Sequence, residues 1–311
     1  MGQEPGKKPV SGRPFHVPVM LEEVVSLFSP IKDGVIVDAT LGGGGHTKAL
    51  LAGLDDSVSI LGIDRDPAAV DRMSEHGRLR LVVGNFGHLD RILASQGLDE
   101  VAGVLLDLGV SSHQLDEDGR GFSYRHEGPL DMRMGPDASR TAHEIVNEAS
   151  PAELVRIIRT LGEERFARRI TAAIVEHRPI ETTARLAEVV RRAIPAATRR
   201  SGGHPARRTF QAVRMAVNEE LGALSAGLDS GIEALRPGGR CVAISYHSLE
   251  DRIVKRRFRR GEGREPGPVL PVAPPVELTA LARRAVKPGE AEVLRNPRAR
   301  SARLRAVEKV A

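Results

Sequence analysis

Apolar residues in this chain recur with two different periods, and the changes of period divide it into parts. Short apolar runs at Val35 to Ala39, Ser59 to Ile63, Leu79 to Val83 and Val101 to Leu106 read as strands, with room for helices between most of them. That alternation predicts an α/β fold, a parallel sheet with helices on both faces. The strand signal then stops until about Arg240. In the gap, Ser150-Pro-Ala-Glu153 is a capping box with proline at the first helical position, followed by Leu154, Ile157, Ile158 and Leu161 at helical spacing. Phe166, Ile170 and Ile174 mark a second helix, and Leu186, Val189, Val190 and Ala193 a third that Pro195 ends. A longer helical stretch runs from about Arg207 to Leu235, and Pro237-Gly-Gly239 returns the chain to a strand at Arg240 to Ser245. Leu249 to Arg260 then reads as a basic helix, Gly261 to Pro275 as a Pro/Gly-rich loop, and Ser301 to Val310 as a final strand. An all-helical module, 116–206, therefore interrupts an α/β domain made of 16–115 and 207–311. Residues 1–15, polar and rich in Gly, Pro and Lys, read as a disordered arm.

The strand ending in Asp38-Ala-Thr-Leu-Gly-Gly-Gly-Gly-His46 and the next, ending in Ile60-Leu-Gly-Ile-Asp64, describe strand, tight turn, helix and strand. Glycines allow a sharp turn and close approach of a ligand to the main chain, and the following helix start offers unpaired N–H groups. Asp64 lies 20 residues beyond Gly44 and can accept hydrogen bonds from ribose hydroxyls, so an adenosine-containing ligand is the leading reading over an ordinary Gly-rich turn. Thr47 stands where the dinucleotide fingerprint needs its last glycine, and Thr47-Lys48-Ala49 does not complete a P-loop. Hydride transfer and phosphate hydrolysis lose ground accordingly. Asp64 still permits NAD, which keeps an NAD-dependent dehydrogenase as the alternative enzyme.

Asp107, in Leu105-Leu-Asp-Leu-Gly-Val-Ser-Ser112, falls at the carboxyl end of the fourth strand, where open α/β sheets bind ligands. A carboxylate there suits a cationic ligand or an acceptor amine, with a helix cap or turn residue as the lesser reading. Phe86, after the third strand, is a candidate edge for an adenine or plain core. His46 either donates to a ligand carboxylate or merely starts a helix. Ser245-Tyr-His-Ser-Leu-Glu-Asp251 closes the later strand with a polar cluster that shares the Asp107 edge if its strand joins the same sheet. No Gly-x-Ser-x-Gly elbow supports a hydrolase, and the scattered histidines give no metal-site spacing.

Composition adds limits. The lone Cys241 excludes an intrachain disulfide and suits a reducing cytoplasm, and no apolar run approaches the ~20 residues that span a bilayer. The net charge of +5 is uneven: residues 251–311 hold 16 Lys and Arg against 7 Asp and Glu. That basic end is a candidate polyanion surface. With no Trp, and Tyr only at 124 and 246, base-stacking platforms must be few, so phosphates would carry most of any grip on nucleic acid.

Together these residues resemble one family, the bacterial RsmH (MraW) enzymes. The resemblance runs from His16 to Val310 and rests on the segments Asp38 to His46, Gly62-Ile-Asp-Arg-Asp-Pro67, Leu106-Asp-Leu-Gly-Val-Ser-Ser112, Arg120-Gly-Phe-Ser123, Gly128-Pro-Leu-Asp-Met-Arg-Met134, Gly162-Glu-Glu-Arg-Phe-Ala167, Arg208-Thr-Phe-Gln-Ala-Val-Arg214, His247-Ser-Leu-Glu-Asp-Arg252 and Asn296-Pro-Arg-Ala-Arg300. It implies a Rossmann-like class I methyltransferase sheet and transfer of a methyl group from S-adenosylmethionine to the N4 amino group of a decoding-centre (P-site) cytidine in 16S rRNA. It also implies cofactor positions at Gly44, Gly45, His46, Asp64, Phe86, Asp107 and Gln114. Cytosine's exocyclic nitrogen is a poor nucleophile, which directs attention to Asp107 or a neighbouring carbonyl as acceptor of its hydrogen bond and proton, with His247 and Ser248 helping to hold the base. Arg120, Arg125, Arg133, Arg207 and Arg208, with the basic C-terminal helix, are the expected RNA contacts. A ribosome-assembly factor without catalysis is the remaining alternative.

Overall fold

Strands form wherever the apolar runs predicted them: β1 (Gly34–Asp38), β2 (Val58–Asp64), β3 (Leu79–Val83), β4 (Val101–Asp107) and β7 (Arg303–Lys309). With β5 (Leu235–Ser245) and β6 (Leu278–Ala280) they make one sheet in the order β3-β2-β1-β4-β5-β7-β6, in which the first five are parallel and β7 runs antiparallel to both neighbours. This computed structural model describes residues 18–110, 114, 117–199, 203–264 and 276–310; the expected arm at 1–15, His16, Ser111 to His113 and most of the loop up to Pro275 lie outside them. The architecture is the Rossmann-like class I methyltransferase sheet that the resemblance implies, with the helical module between β4 and β5.

β4 is buried along nearly its whole length, as expected of a central parallel strand covered on both faces. Helices α1 (Leu21–Phe28) and α2 (Gly45–Gly53) help cover one face, through a core that includes Phe28, Ile36, Leu50, Leu105 and Ile244. α3 (Pro67–Asp71) follows β2, and on the other face α4 (Leu89–Ser95) packs its Leu89 and Leu93 into a core with Val37, Val104 and Leu228. Strand order reverses between β1 and β4, and the crevice outside their carboxyl ends is where such sheets take ligands.

The helical module consists of α5 (Ala142–Glu148), α6 (Pro151–Thr160), α7 (Ala167–Glu176), α8 (Thr183–Ala193) and the short α9 (Ala196–Arg199). Its core joins Ile145, Leu154, Ile158, Ile170 and Val190 to Phe210 and Val213. Those last two belong to α10 (Arg207–Val217), so packing carries the module through Val217, beyond the expected boundary at 206. Ser150 caps α6 by accepting from the Glu153 N–H at 3.2 Å, while the Glu153 carboxylate turns to Arg140 instead of completing the box.

Two expectations are corrected. The helical stretch from Arg207 to Leu235 is two helices, α10 and α11 (Glu220–Glu233), broken at Asn218 and at Glu219, whose φ is 49°. The buried Asn218 amide donates to the carbonyls of Met132 (2.7 Å) and Arg214 (2.9 Å) and accepts from the Met134 N–H (2.8 Å), so tertiary hydrogen bonds override helix propensity there. β5 starts at Leu235, not Arg240, because Leu235 pairs with Val101 while Pro237-Gly-Gly239 forms an irregularity inside the strand pairing. Beyond β5, α12 (Ser248–Gly261) is the expected basic helix; α13 (Glu290–Arg295) and β6, both very short, carried no periodic signal.

Asn218 thus ties α10 to the segment 132–134. Asn218→Ala leaves a buried carbonyl and a buried N–H without partners, and is expected to lower the unfolding free energy by about 2–4 kcal/mol. Urea denaturation followed by far-UV circular dichroism measures this; an unchanged midpoint contradicts it.

Candidate functional site

The turn after β1 is held by main-chain bonds to both neighbouring strands: the Ala39 N–H donates to the Leu105 carbonyl and the Leu41 N–H to that of Ile63, both at 2.9 Å. Side chains complete the hold. Thr47 Oγ1 donates to Asp38 Oδ2 at 2.7 Å, and the Asp107 N–H donates to Thr40 Oγ1 at 2.7 Å. Asp64 accepts from the Gly42 N–H (2.8 Å) with one oxygen and from the Asp66 N–H (2.9 Å) with the other. Asp64 therefore shapes the glycine turn while keeping further lone pairs for a ligand.

The glycines differ in what they face. Gly44 has φ 70° and caps α2, and a Cβ on it would lie 2.4 Å from Met73 Sδ. On Gly45 a Cβ would lie 2.2 Å from the Pro18 ring. Gly43 is exposed and has nothing within 4 Å of a Cβ position, so the turn is open beside it.

Three carboxylates converge at the strand ends. Burial, reinforced by Asp107, pushes Asp38 above the ordinary aspartate range against its hydrogen bonds from Thr47 and Thr40. Burial does the same to Asp64, with Asp66 and Asp38 adding to it. His46 lies among them, its Nε2 3.4 Å from Asp107 Oδ2. Burial works against its charged form, but Asp107 and Asp38 outweigh that and raise its pKa. Neither of its ring nitrogens has hydrogen-bond geometry to any described residue. A crevice with three acids and one buried imidazole favours a ligand carrying positive charge and an acceptor for an N–H.

β5 supplies the other wall. Tyr246, unrecognised in the sequence beyond its place in a polar cluster, donates its hydroxyl to Asp107 Oδ1 at 2.7 Å. Burial and the adjacent Asp107 hold that phenol well above its usual pKa, so it remains a donor. His247 caps α12: its Nδ1 accepts from the Glu250 N–H at 3.4 Å and its Nε2 lies 3.0 Å from Glu250 Oε1. Glu250, fully buried, is held below the ordinary range despite burial, chiefly by His247. Glu220, His247 and Glu250 form the one group among the described residues with a metal-like donor set, and Arg214 already grips both oxygens of Glu220 at 2.7 Å. Ser248 donates its hydroxyl to Glu163 of the helical module, whose carboxylate also takes Arg252 at 3.0 Å. His247 and Ser248 are thus engaged in anchoring the loop that presents Tyr246.

The remaining predicted residues line the β2 and β3 side. Phe86 is half-buried against α11, where a Cβ on Gly227 would lie 2.6 Å from its ring. Gln114 is buried, with Nε2 3.3 Å from Asp66 Oδ2. Arg120 donates to the same Asp66 oxygen at 2.9 Å and to the Arg133 and Met134 carbonyls, so this expected RNA contact is committed internally, whereas Arg133 is exposed and paired with Asp131. Arg125, Arg207 and Arg208 are exposed. Asp137 of the module reaches Arg65 at 2.7 Å and Asn85 at 2.8 Å, closing the flank beside Asp64 and Phe86.

A sequence profile of the MraW methylase family matches residues 13–310. The chain is 47% identical over 310 residues to the ribosomal RNA small subunit methyltransferase H of Heliobacterium modesticaldum, covering 95% of this chain and 98% of that protein. It is 50% identical over 307 residues to the protein of the same name from Geobacter sulfurreducens, covering 95% and 99%.

Because the folded-state pKa of Asp38 lies above the ordinary value of 3.8, its ionised form opposes folding near neutral pH. That opposition is relieved as pH falls through the raised value toward the ordinary one. Asparagine at 38 cannot take up the proton. The unfolding free energy of Asp38→Asn minus that of the parent protein should therefore grow more negative from pH 7 to about pH 4, as guanidinium titrations at several pH values would show. A flat difference contradicts the burial argument.

Proposed function

The chain belongs to the MraW methylase family, and on that premise we propose that it transfers a methyl group from S-adenosylmethionine to the N4 amino group of a decoding-centre (P-site) cytidine in 16S rRNA. The observation that carries the reading is the Asp107 carboxylate, set at the sheet's switch point with Tyr246 on one oxygen and His46 beside the other. The relatives are named for small-subunit rRNA, which supplies the substrate class. When bound, S-adenosylmethionine supplies a methyl group on a positively charged sulfur. A crevice whose carboxylates outnumber its cations suits that charge, and the open Gly43 and the free Nδ1 of His46 suit a molecule with a carboxylate and an ammonium group.

In this reading Asp64 accepts from ribose hydroxyls, Phe86 offers its open edge to the adenine, and Gly43 to His46, with Gln114 and Asp107, surround the methionine end. Asp107 accepts a hydrogen bond from the cytosine amino group, favours its attacking geometry and takes its proton as the new N–C bond forms. The Tyr246 hydroxyl fixes the carboxylate's rotation, so positioning supplies much of the catalysis. His247 and Ser248 act at one remove by holding the β5 end. The target base must leave any stack to reach this crevice. Arg125, Arg207, Arg208 and the exposed Arg256 and Arg259 of α12 contact phosphates.

Labelled methyl transfer to 30S subunits, followed by mapping of the modified base, tests this. Asp107→Asn should lower the rate by about 100-fold or more and Tyr246→Phe by about 10-fold. Full activity in both, or label on another base, overturns the assignment. Gly43→Val should leave the thermal midpoint of the free protein nearly unchanged, yet abolish the upward shift that S-adenosylmethionine produces in the parent protein. A retained shift means that the cofactor does not pass over Gly43.

A further inference from the structure

Methyl transfer gives no task to a stack of rings on the helical module. Tyr124 and His204 lie face to face, their centroids 4.5 Å apart and their planes 14° from parallel. Tyr124 also meets Phe210 edge-on, at 5.7 Å and 83°. Phe210 is buried, Tyr124 half-buried and His204 exposed, so the three rings form a column from the module's core to its surface. The chain has no Trp and only one other Tyr, which is bound to Asp107.

The outer ring is prepared to be flat and neutral. His204 Nδ1 accepts from the Ala206 N–H at 3.2 Å, which leaves the proton on Nε2. Burial, then Arg125 and Arg191, hold its pKa below the ordinary value. The Arg125 guanidinium lies 6.0 Å from the centre of the Tyr124 ring, and Arg207 follows in the same turn, its N–H donating to the His204 carbonyl. Arg125, Arg191 and Arg207 are all exposed, and no carboxylate among the described residues forms an ion pair with any of them. Three such cations around exposed rings repel one another, and an anion that also presents a flat face relieves that repulsion.

We infer that the Tyr124–His204 column, ringed by Arg125, Arg191 and Arg207, is a stacking site for an unpaired nucleobase of the RNA, with the guanidiniums on its flanking phosphates. Stacking tolerates any base, and alternating aromatic and cationic groups are the general means of gripping a single strand. The inference rests on the rRNA reading above and adds where the helical module holds the strand. An acidic peptide would satisfy the cations but would leave the ring face unused.

The probe is a short single-stranded oligoribonucleotide carrying 2-aminopurine, added to the full-length protein. Binding should quench its fluorescence. His204→Ala, at an exposed position, should remove most of the quenching and weaken binding by about ten-fold, as should Tyr124→Leu, whereas Tyr124→Phe should match the parent protein. Arg125→Gln should reduce the salt dependence of binding. Unchanged quenching and affinity in His204→Ala overturn the stacking site, as does tighter binding of a glutamate-rich peptide that depends on the same arginines. Methyl transfer by the parent protein to 30S subunits, run in parallel, separates the two claims: transfer without a His204 effect removes only the stacking site, and absence of transfer removes the rRNA reading itself.

Discussion

Like charges brought together at the end of a buried sheet set the terms for everything around them. Asp38, Asp64 and Asp107 end β1, β2 and β4, neighbours in the strand order, and Asp38 lies close enough to each of the other two to influence its charge or be influenced by it. Two of these carboxylates are tied down by donors from the glycine turn itself: Asp38 by Thr40 and Thr47, and Asp64 by the N–H of Gly42. The same bonds that restrain mutual repulsion therefore fix the turn. His46 and Tyr246 complete the arrangement around Asp107. A site assembled this way holds an excess of carboxylates, which suits a cationic ligand.

The helical module is joined to this site through two carboxylates on opposite flanks. Asp137 binds Arg65 and Asn85, the immediate neighbours of Asp64 and Phe86. Glu163, at φ 46°, binds Ser248 and Arg252 at the start of α12, two residues from Tyr246 and beyond. Gly135 approaches the Arg65 carbonyl so closely that a Cβ there would lie 2.2 Å away. A module attached at both flanks cannot shift without moving the residues that border the crevice, so the two are coupled mechanically.

What could be read in the sequence was local. β1, β2 and their turn announce themselves because apolar runs, glycines and a strand-end acid lie within 30 residues, and so does the carboxyl-end place of Asp107. Tyr246 was not identifiable as its partner, because 139 residues separate the two and only the β4–β5 pairing brings them together. The same holds for Asn218, whose side chain breaks a helix to reach residues 84 and 86 positions away. Among the glycines, spacing identified the turn but not which member is open, since that depends on Pro18 and Met73 packing behind the others.

Charge shows most clearly why a count is not a surface. The basic excess in residues 251–311 suggested a broad polyanion face, but many of those cations are used inside the fold. Arg257 joins Asp229 to Glu277 and so fixes α12 against α11 and the start of β6, and Arg305 binds Asp251 across β7. Such pairs have little charge left to offer phosphates. Arg256 and Arg259 face outward on α12 without an ion pair among the described residues. The module, by contrast, leaves Arg125, Arg191 and Arg207 exposed beside aromatic rings. A guanidinium available to a polyanion is one the fold has left without a carboxylate, and the inserted module offers such residues as the basic end does.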